Sequence, residues 1–239
     1  MWNWEGMNLD DLDKVILKYK SDPERSHYFQ IGENRIRESV NQARDLIKDG
    51  DKVLDIGGSL IFKECFATIE RDFDYQFTNR GKGDLRIESL DYPDESFDMV
   101  MSHETIEHMY QLEGEGMLNT EGLINFWTEG YRLLKPGGYF LVSTRNRNCP
   151  SSWDKLHQGM PPMQSFYFCS THIHCHAQEL SGTDYRELSK ITGLFTNHSI
   201  YSTPSRPSKP AWADRMSAFL GRPLKQEELH DTIWFKSTK

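Results

Sequence analysis

The run Lys52-Val53-Leu54-Asp55-Ile56-Gly57-Gly58-Ser59 restricts the fold more than any other part of the chain. A short β-forming stretch ends in two glycines, and a helical pattern over residues 60–71 follows at once. From there strand-like runs at 75–78, 84–87, 97–102, 139–144, 195–202 and 232–236 are interleaved with helical patterns at 120–134 and 183–192. Strands separated by helices must cross over to pair, so this order predicts an α/β fold with a doubly wound, mostly parallel sheet and helices on both faces. Such sheets place ligands at the carboxyl ends of their strands.

Upstream, residues 9–19 form one amphipathic helix, and Ile36, Val40, Ala43 and Ile47 share a face of a second that stops at Gly50. A length of 239 residues suits one large domain over 1–239, with an N-terminal helical cap (1–33) and insertions or lids at 145–176 and 203–229. The formal charge of -8 counts against a phosphate backbone as partner, so nucleic acid is not the expected ligand. Nowhere do about 18 apolar residues run together, which leaves no membrane span. Neither a secretory pattern nor a CxxC pair is present, and a cytoplasmic protein with reduced thiols is expected.

Glycines at a strand end let backbone approach a ligand, and the following helix start offers unpaired N–H groups. A dinucleotide fingerprint would need G-x-G-x-x-G, which Gly57-Gly58-Ser59-Leu60-Ile61-Phe62 does not supply.

Three later segments, in order, carry a resemblance. Leu90-Asp91-Tyr92-Pro93-Asp94-Glu95-Ser96-Phe97-Asp98-Met99-Val100 resembles the LPFPDxSFDxV approach to strand four of class I (Rossmann-like) S-adenosylmethionine-dependent methyltransferases. Glu104-Thr105-Ile106-Glu107-His108 resembles their EVxEH stretch, and Tyr131-Arg132-Leu133-Leu134-Lys135-Pro136-Gly137-Gly138 their RxLKPGG turn. The resemblance implies a seven-stranded sheet with an antiparallel last strand, S-adenosylmethionine as cofactor, and methyl transfer as activity. Asp55, Gly57, Gly58 and Ser59 match its cofactor loop, with Ser59 in place of a third glycine. Asn79 falls where an acidic residue holds the ribose, Asp84 and Leu85 fall toward the adenine, and Ser102 and His103 fall near the sulfonium.

Glu104, Glu107 and His108 at i, i+3 and i+4 would share one face at a helix start. By resemblance to small-RNA 2′-O-methyltransferases they, with His176, form a ligand set for a divalent metal such as Mg or Mn. The alternative is capping and packing. His103, His108 and His176 are the candidate catalytic bases, since imidazole titrates near neutrality. His172, His174 and His176 alternate and would face one way on an extended strand. A histidine-rich site favours O-methylation, because a hydroxyl nucleophile must lose a proton. Arg145 and Arg147 could meet an anionic group or simply be solvated.

The expected acceptor is a small molecule or a saccharide unit. The alternatives are an RNA 3′-terminal 2′-O-methyltransferase-like enzyme and a non-catalytic S-adenosylmethionine-binding module.

Overall fold

A computed structural model describes residues 9–23, 26–78, 88–109, 111–113, 117–149, 179–204 and 211–239. Two helices, α1 (Leu9–Lys20) and α2 (Ser26–Arg44), precede the first strand, β1 (Lys52–Ile56). There follow α3 (Leu60–Phe66), β2 (Asp74–Thr78) and β3 (Phe97–His103). A short antiparallel pair, β4 (Gln111–Glu113) and β5 (Met117–Asn119), leads to α4 (Glu121–Leu133) and β6 (Leu134–Arg145). The last elements are α5 (Gly182–Thr192), β7 (His198–Thr203), α6 (Ala211–Leu220) and β8 (Thr232–Thr238).

The main sheet has the order β2-β1-β3-β6-β8-β7. β1, β2, β3 and β6 are mutually parallel, and β8 runs antiparallel to both β6 and β7. The mostly parallel, doubly wound arrangement and the antiparallel last strand agree with the sequence reading. The strand count differs: six strands form this sheet among the described residues, and the run read at 84–87 lies outside them. The β4–β5 pair and α6 carried too little hydrophobic periodicity to be read from sequence.

Alternation along the strands divides the core in two. Leu54, Ile56, Val100, Phe140, Val142, Ile233 and Phe235 join α4 and α5, while Val53, Met99, Met101, Leu141 and Trp234 join α1, α2 and α3. The apolar face of α2, with Ile36, Val40 and Ala43 fully buried, belongs to the second half. Cys65 is a free, buried thiol, and Cys149 is buried as well. No described helix is long and apolar enough to cross a membrane.

Two of the resemblance-bearing segments brace the end of the sheet opposite the carboxyl ends of the parallel strands. Asp98 accepts the Lys52 backbone N–H (2.9 Å) and the Lys135 ammonium (2.7 Å). Gly137 adopts φ 79°, and a Cβ on Gly138 would stand 2.9 Å from the Asp98 carbonyl oxygen. Arg132 donates to Glu129, Asp94 and the carbonyls of Leu90 and Tyr92, which fixes the turn into β3. These residues therefore build the scaffold and stand apart from its chemistry.

Trp127 on α4 is the hub of the first half-core. Its ring lies 4.6 Å from that of Phe235, 5.3 Å from Phe140 and 5.5 Å from Phe195, centroid to centroid. The indole N–H is buried with no hydrogen-bond partner among the described residues. Trp127→Ala is expected to cost about 3–5 kcal/mol in urea denaturation, through the cavity it leaves. Trp127→Phe is expected to cost clearly less, because it removes an unsatisfied donor while keeping most of the ring.

Candidate active site

At the carboxyl ends of β1 and β3 the chain folds back on itself. Gly57 has φ 81°, a conformation in which a side chain is strained, and a Cβ there would collide with the Thr105 side chain. A Cβ on Gly58 would lie 2.5 Å from Asp55 Oδ2 and 2.9 Å from Phe77 Cβ. The protein's own contacts thus demand both glycines, whatever else the loop approaches. Gly57 stays exposed on its outer side. Ser59, standing where a third glycine was expected, is the N-cap of α3: its hydroxyl accepts the Phe62 N–H at 3.4 Å.

Asp55 is fully buried below the loop. Its Oδ2 accepts the Tyr75 hydroxyl at 2.6 Å, and Oδ1 has no partner among the described residues. Burial pushes the carboxyl up to about 7, against the pull of the Tyr75 hydrogen bond. Ser102 donates to the Ile56 carbonyl at 2.8 Å and so ties β3 to β1 where the loop begins.

The expected i, i+3, i+4 face of Glu104, Glu107 and His108 does not form. Glu104 takes the left-handed conformation (φ 52°), and only Ile106–His108 make a short 3₁₀ turn. The Glu104 N–H is bonded to the Ser143 carbonyl at 2.9 Å. Its Oε2 lies 2.8 Å from Nη1 of Arg35 on α2, while Oε1 is buried and has no partner among the described residues. Glu107 is wholly buried and accepts the Thr144 hydroxyl at 2.6 Å. Burial, then the charge of Glu104, raises Glu107 to about 8. Burial also raises Glu104, with Arg35 and Arg145 drawing it the other way.

His103 departs from its expected place in the cleft. It is 5% exposed, stacked on Phe62 (5.4 Å) and edge-on to Trp234 (5.7 Å). Its Nδ1 hydrogen-bonds with Ser143 Oγ (2.9 Å) and with Ser39 Oγ of α2 (3.3 Å). Burial, then the nearby Arg35 charge, lowers it to about 3. A base that weak takes no proton near neutrality, so His103 is a core residue joining β3 to α2.

His108 is half-buried on the 3₁₀ turn. Asn79, Asp84, Leu85, His172, His174 and His176 lie outside the described residues. Among the described residues no three His, Cys, Asp or Glu side chains gather as a metal-holding group. The structure instead brings in four side chains that sequence reasoning passed over: Arg35, Tyr75, Thr105 and Thr144. Gly32 lies one helical turn before Arg35, but no sequence pattern ties either to the site. The loop arginines are engaged within the protein. Arg147 pairs with Asp184 at 2.7 Å, and Arg145 lies 3.7 Å from Glu179.

S-adenosylmethionine carries a sulfonium and an ammonium, and the described half of the site fits such a cation. One buried carboxyl oxygen, Asp55 Oδ1, has no partner among the described residues and lies beneath an open glycine backbone.

Tyr75→Phe is expected to cost about 0.5–1.5 kcal/mol. The tyrosine hydroxyl favours the ionised Asp55, so the cost should grow as pH rises through about 7. Urea denaturation at pH 6 and pH 8.5 reads this difference.

Residues 76–142 match a family described as a methyltransferase domain. No curated protein sequence matches the chain. Among solved structures it is similar to a SAM-dependent methyltransferase from Archaeoglobus fulgidus, with 15% identity over 91% of this chain and 100% of that one, at a TM-score of 0.57. It is also similar to a Thermotoga maritima SAM-dependent methyltransferase described as a possible histamine N-methyltransferase. There the identity is 16% over 97% of this chain and 99% of that one, at a TM-score of 0.51. Residues 76–142 thus carry a methyltransferase-domain match, and the parallel sheet and glycine loop belong to a chain that shares its fold with SAM-dependent methyltransferases.

Proposed function

We propose that the chain methylates a hydroxyl group of a small molecule or saccharide unit, with Glu104 as the proton acceptor. The observation that carries this reading is the Glu104 carboxylate at the end of β3. One oxygen is held by Arg35, and the other is buried and unpartnered among the described residues, beside the loop that fits the cofactor. When bound, S-adenosylmethionine supplies a methyl group on a sulfonium, open to in-line attack. Gly57, Gly58 and Ser59 would present the loop backbone to it, with Asp55 beneath. Nothing in that displacement requires acid–base help until the nucleophile is a hydroxyl, whose proton must leave. Glu104 Oε1 would receive that proton. Glu107, also raised by burial and bonded to Thr144, is a second buried carboxyl next to it in the site. The histidine-assisted alternative rests on His108 and His176, since His103 is held neutral in the core.

Calorimetry with S-adenosylmethionine and S-adenosylhomocysteine tests the cofactor, and the absence of binding by either would leave only a fold without the activity. Labelled methyl transfer to a panel of monosaccharides, glycosides, phenols and amines, followed by mass spectrometry, locates the new bond. Transfer to nitrogen alone overturns the O-methylation reading, and transfer to the 3′ end of a short RNA replaces the acceptor class. Glu104→Gln is expected to lower kcat by about 10²–10⁴-fold while leaving S-adenosylhomocysteine affinity near wild type. Activity that vanishes on chelation and returns with Mg²⁺ or Mn²⁺ would move the proton-removing role to a metal at Glu104, Glu107, His108 and His176.

A further inference from the structure

Glycine is unfavourable inside a helix, yet Gly32 lies within α2 and is buried. Among the described residues, a Cβ at this position would meet Arg35, with Nη2 at 3.2 Å and Cζ at 3.8 Å. The space that Gly32 leaves open is therefore occupied by a guanidinium. From there Arg35 Nη1 reaches Glu104 Oε2 at 2.8 Å, and both side chains are only 13% exposed. An arginine stays protonated at any working pH, and its planar fork suits a carboxylate. Glu104 is fixed from the other side by its backbone bond to Ser143 and its left-handed conformation.

A divalent ion would need to sit about 2.0–2.6 Å from the Glu104 oxygens. Beside Oε2 that volume already holds positive charge, in a setting where water screens it poorly. Glu107, the second carboxylate of the same stretch, is turned to Thr144. The described residues accordingly show no group of three ligands.

We infer that Arg35 is the resident cation of this site: its guanidinium fills the place beside Glu104 that a divalent metal would take, and Gly32 is the seat that admits it. The sequence Glu104-x-x-Glu107-His108 then serves a site whose positive charge comes from the N-terminal helix of the same chain. The inference deepens the proposed role of Glu104. It is read by metal binding and not by methyl transfer, so the two readings fail separately.

The test uses Mn²⁺ alone as probe, with the full chain, followed by electron paramagnetic resonance and calorimetry. Wild type is compared with Arg35→Met, Gly32→Ala, Glu104→Gln and the double variant Arg35→Met/Glu104→Gln. Wild type is expected to take up no equivalent of Mn²⁺. Arg35→Met should bind it at least about tenfold more tightly, a gain of about 1.4 kcal/mol, and adding Glu104→Gln should erase the gain. Circular dichroism checks each fold. If Arg35→Met does not fold, Gly32→Ala carries the same comparison, because its methyl group crowds the guanidinium away from Glu104. Uptake of an equivalent of Mn²⁺ by wild type that is lost in Glu104→Gln overturns the inference. So does a folded Arg35→Met chain, or in its place Gly32→Ala, that binds Mn²⁺ no better than wild type.

Discussion

The contact between Gly57 and Thr105 joins the ends of two neighbouring parallel strands, and the geometry of the site hangs on it. Because Thr105 lies against the α-carbon of Gly57, the chain leaving β3 is held down over the loop leaving β1. The Thr105 hydroxyl donates to the His103 carbonyl (3.2 Å), and the next residue back, Glu104, is forced into a left-handed turn. That turn aims the Glu104 carboxylate toward α2 and away from the sheet edge. A larger residue at position 57 would lift the two strand ends apart and undo each later contact in turn.

Beneath this joint the protein buries an unusual amount of ionisable chemistry. Asp55, His103 and Glu107 are all withdrawn from solvent, yet each has found only part of the hydrogen bonding it could use. Such groups are costly to bury, and a fold keeps them where their environment performs a task. The hydroxyls of Tyr75, Ser39, Ser143 and Thr144 are among their partners. Hydroxyls satisfy a carboxyl without fixing its charge, which leaves the proton inventory of the strand ends adjustable.

The fold was legible in the sequence because its signals are local and repeated. Strand and helix alternate from Lys52, the glycine turn marks the first crossover, and Thr232–Thr238 closes the sheet in the antiparallel sense. The six-stranded description differs from the seven expected only at residues 84–87, which are not described. The site was less legible, for a physical reason. Glu104, Glu107 and His108 are spaced for a helical face, but the backbone at Glu104 turns left-handed, and no spacing rule anticipates that turn. His103 has the residue type of a base and the surroundings of a core residue. The Phe62 ring stacked on it and the Trp234 ring edge-on to it decide between them. Arg35 acts on the site from a helix more than 60 positions earlier in the chain, a distance over which sequence pattern carries no signal.

His103 also ties the stability of the fold to acidity. Its imidazole is neutral in the folded chain down to about pH 3, whereas an unfolded histidine binds its proton near 6.5. Across that window the unfolded chain holds the extra proton at this residue, so the His103 contribution to stability is lost in acid. The strain is delivered at one seam, where Ser39 of α2 and Ser143 of β6 meet the same ring nitrogen. At that seam acid works against α2, while the buried Asp55 and Glu107 carboxyls, raised to about 7 and about 8, hold their protons in the folded chain and offset it.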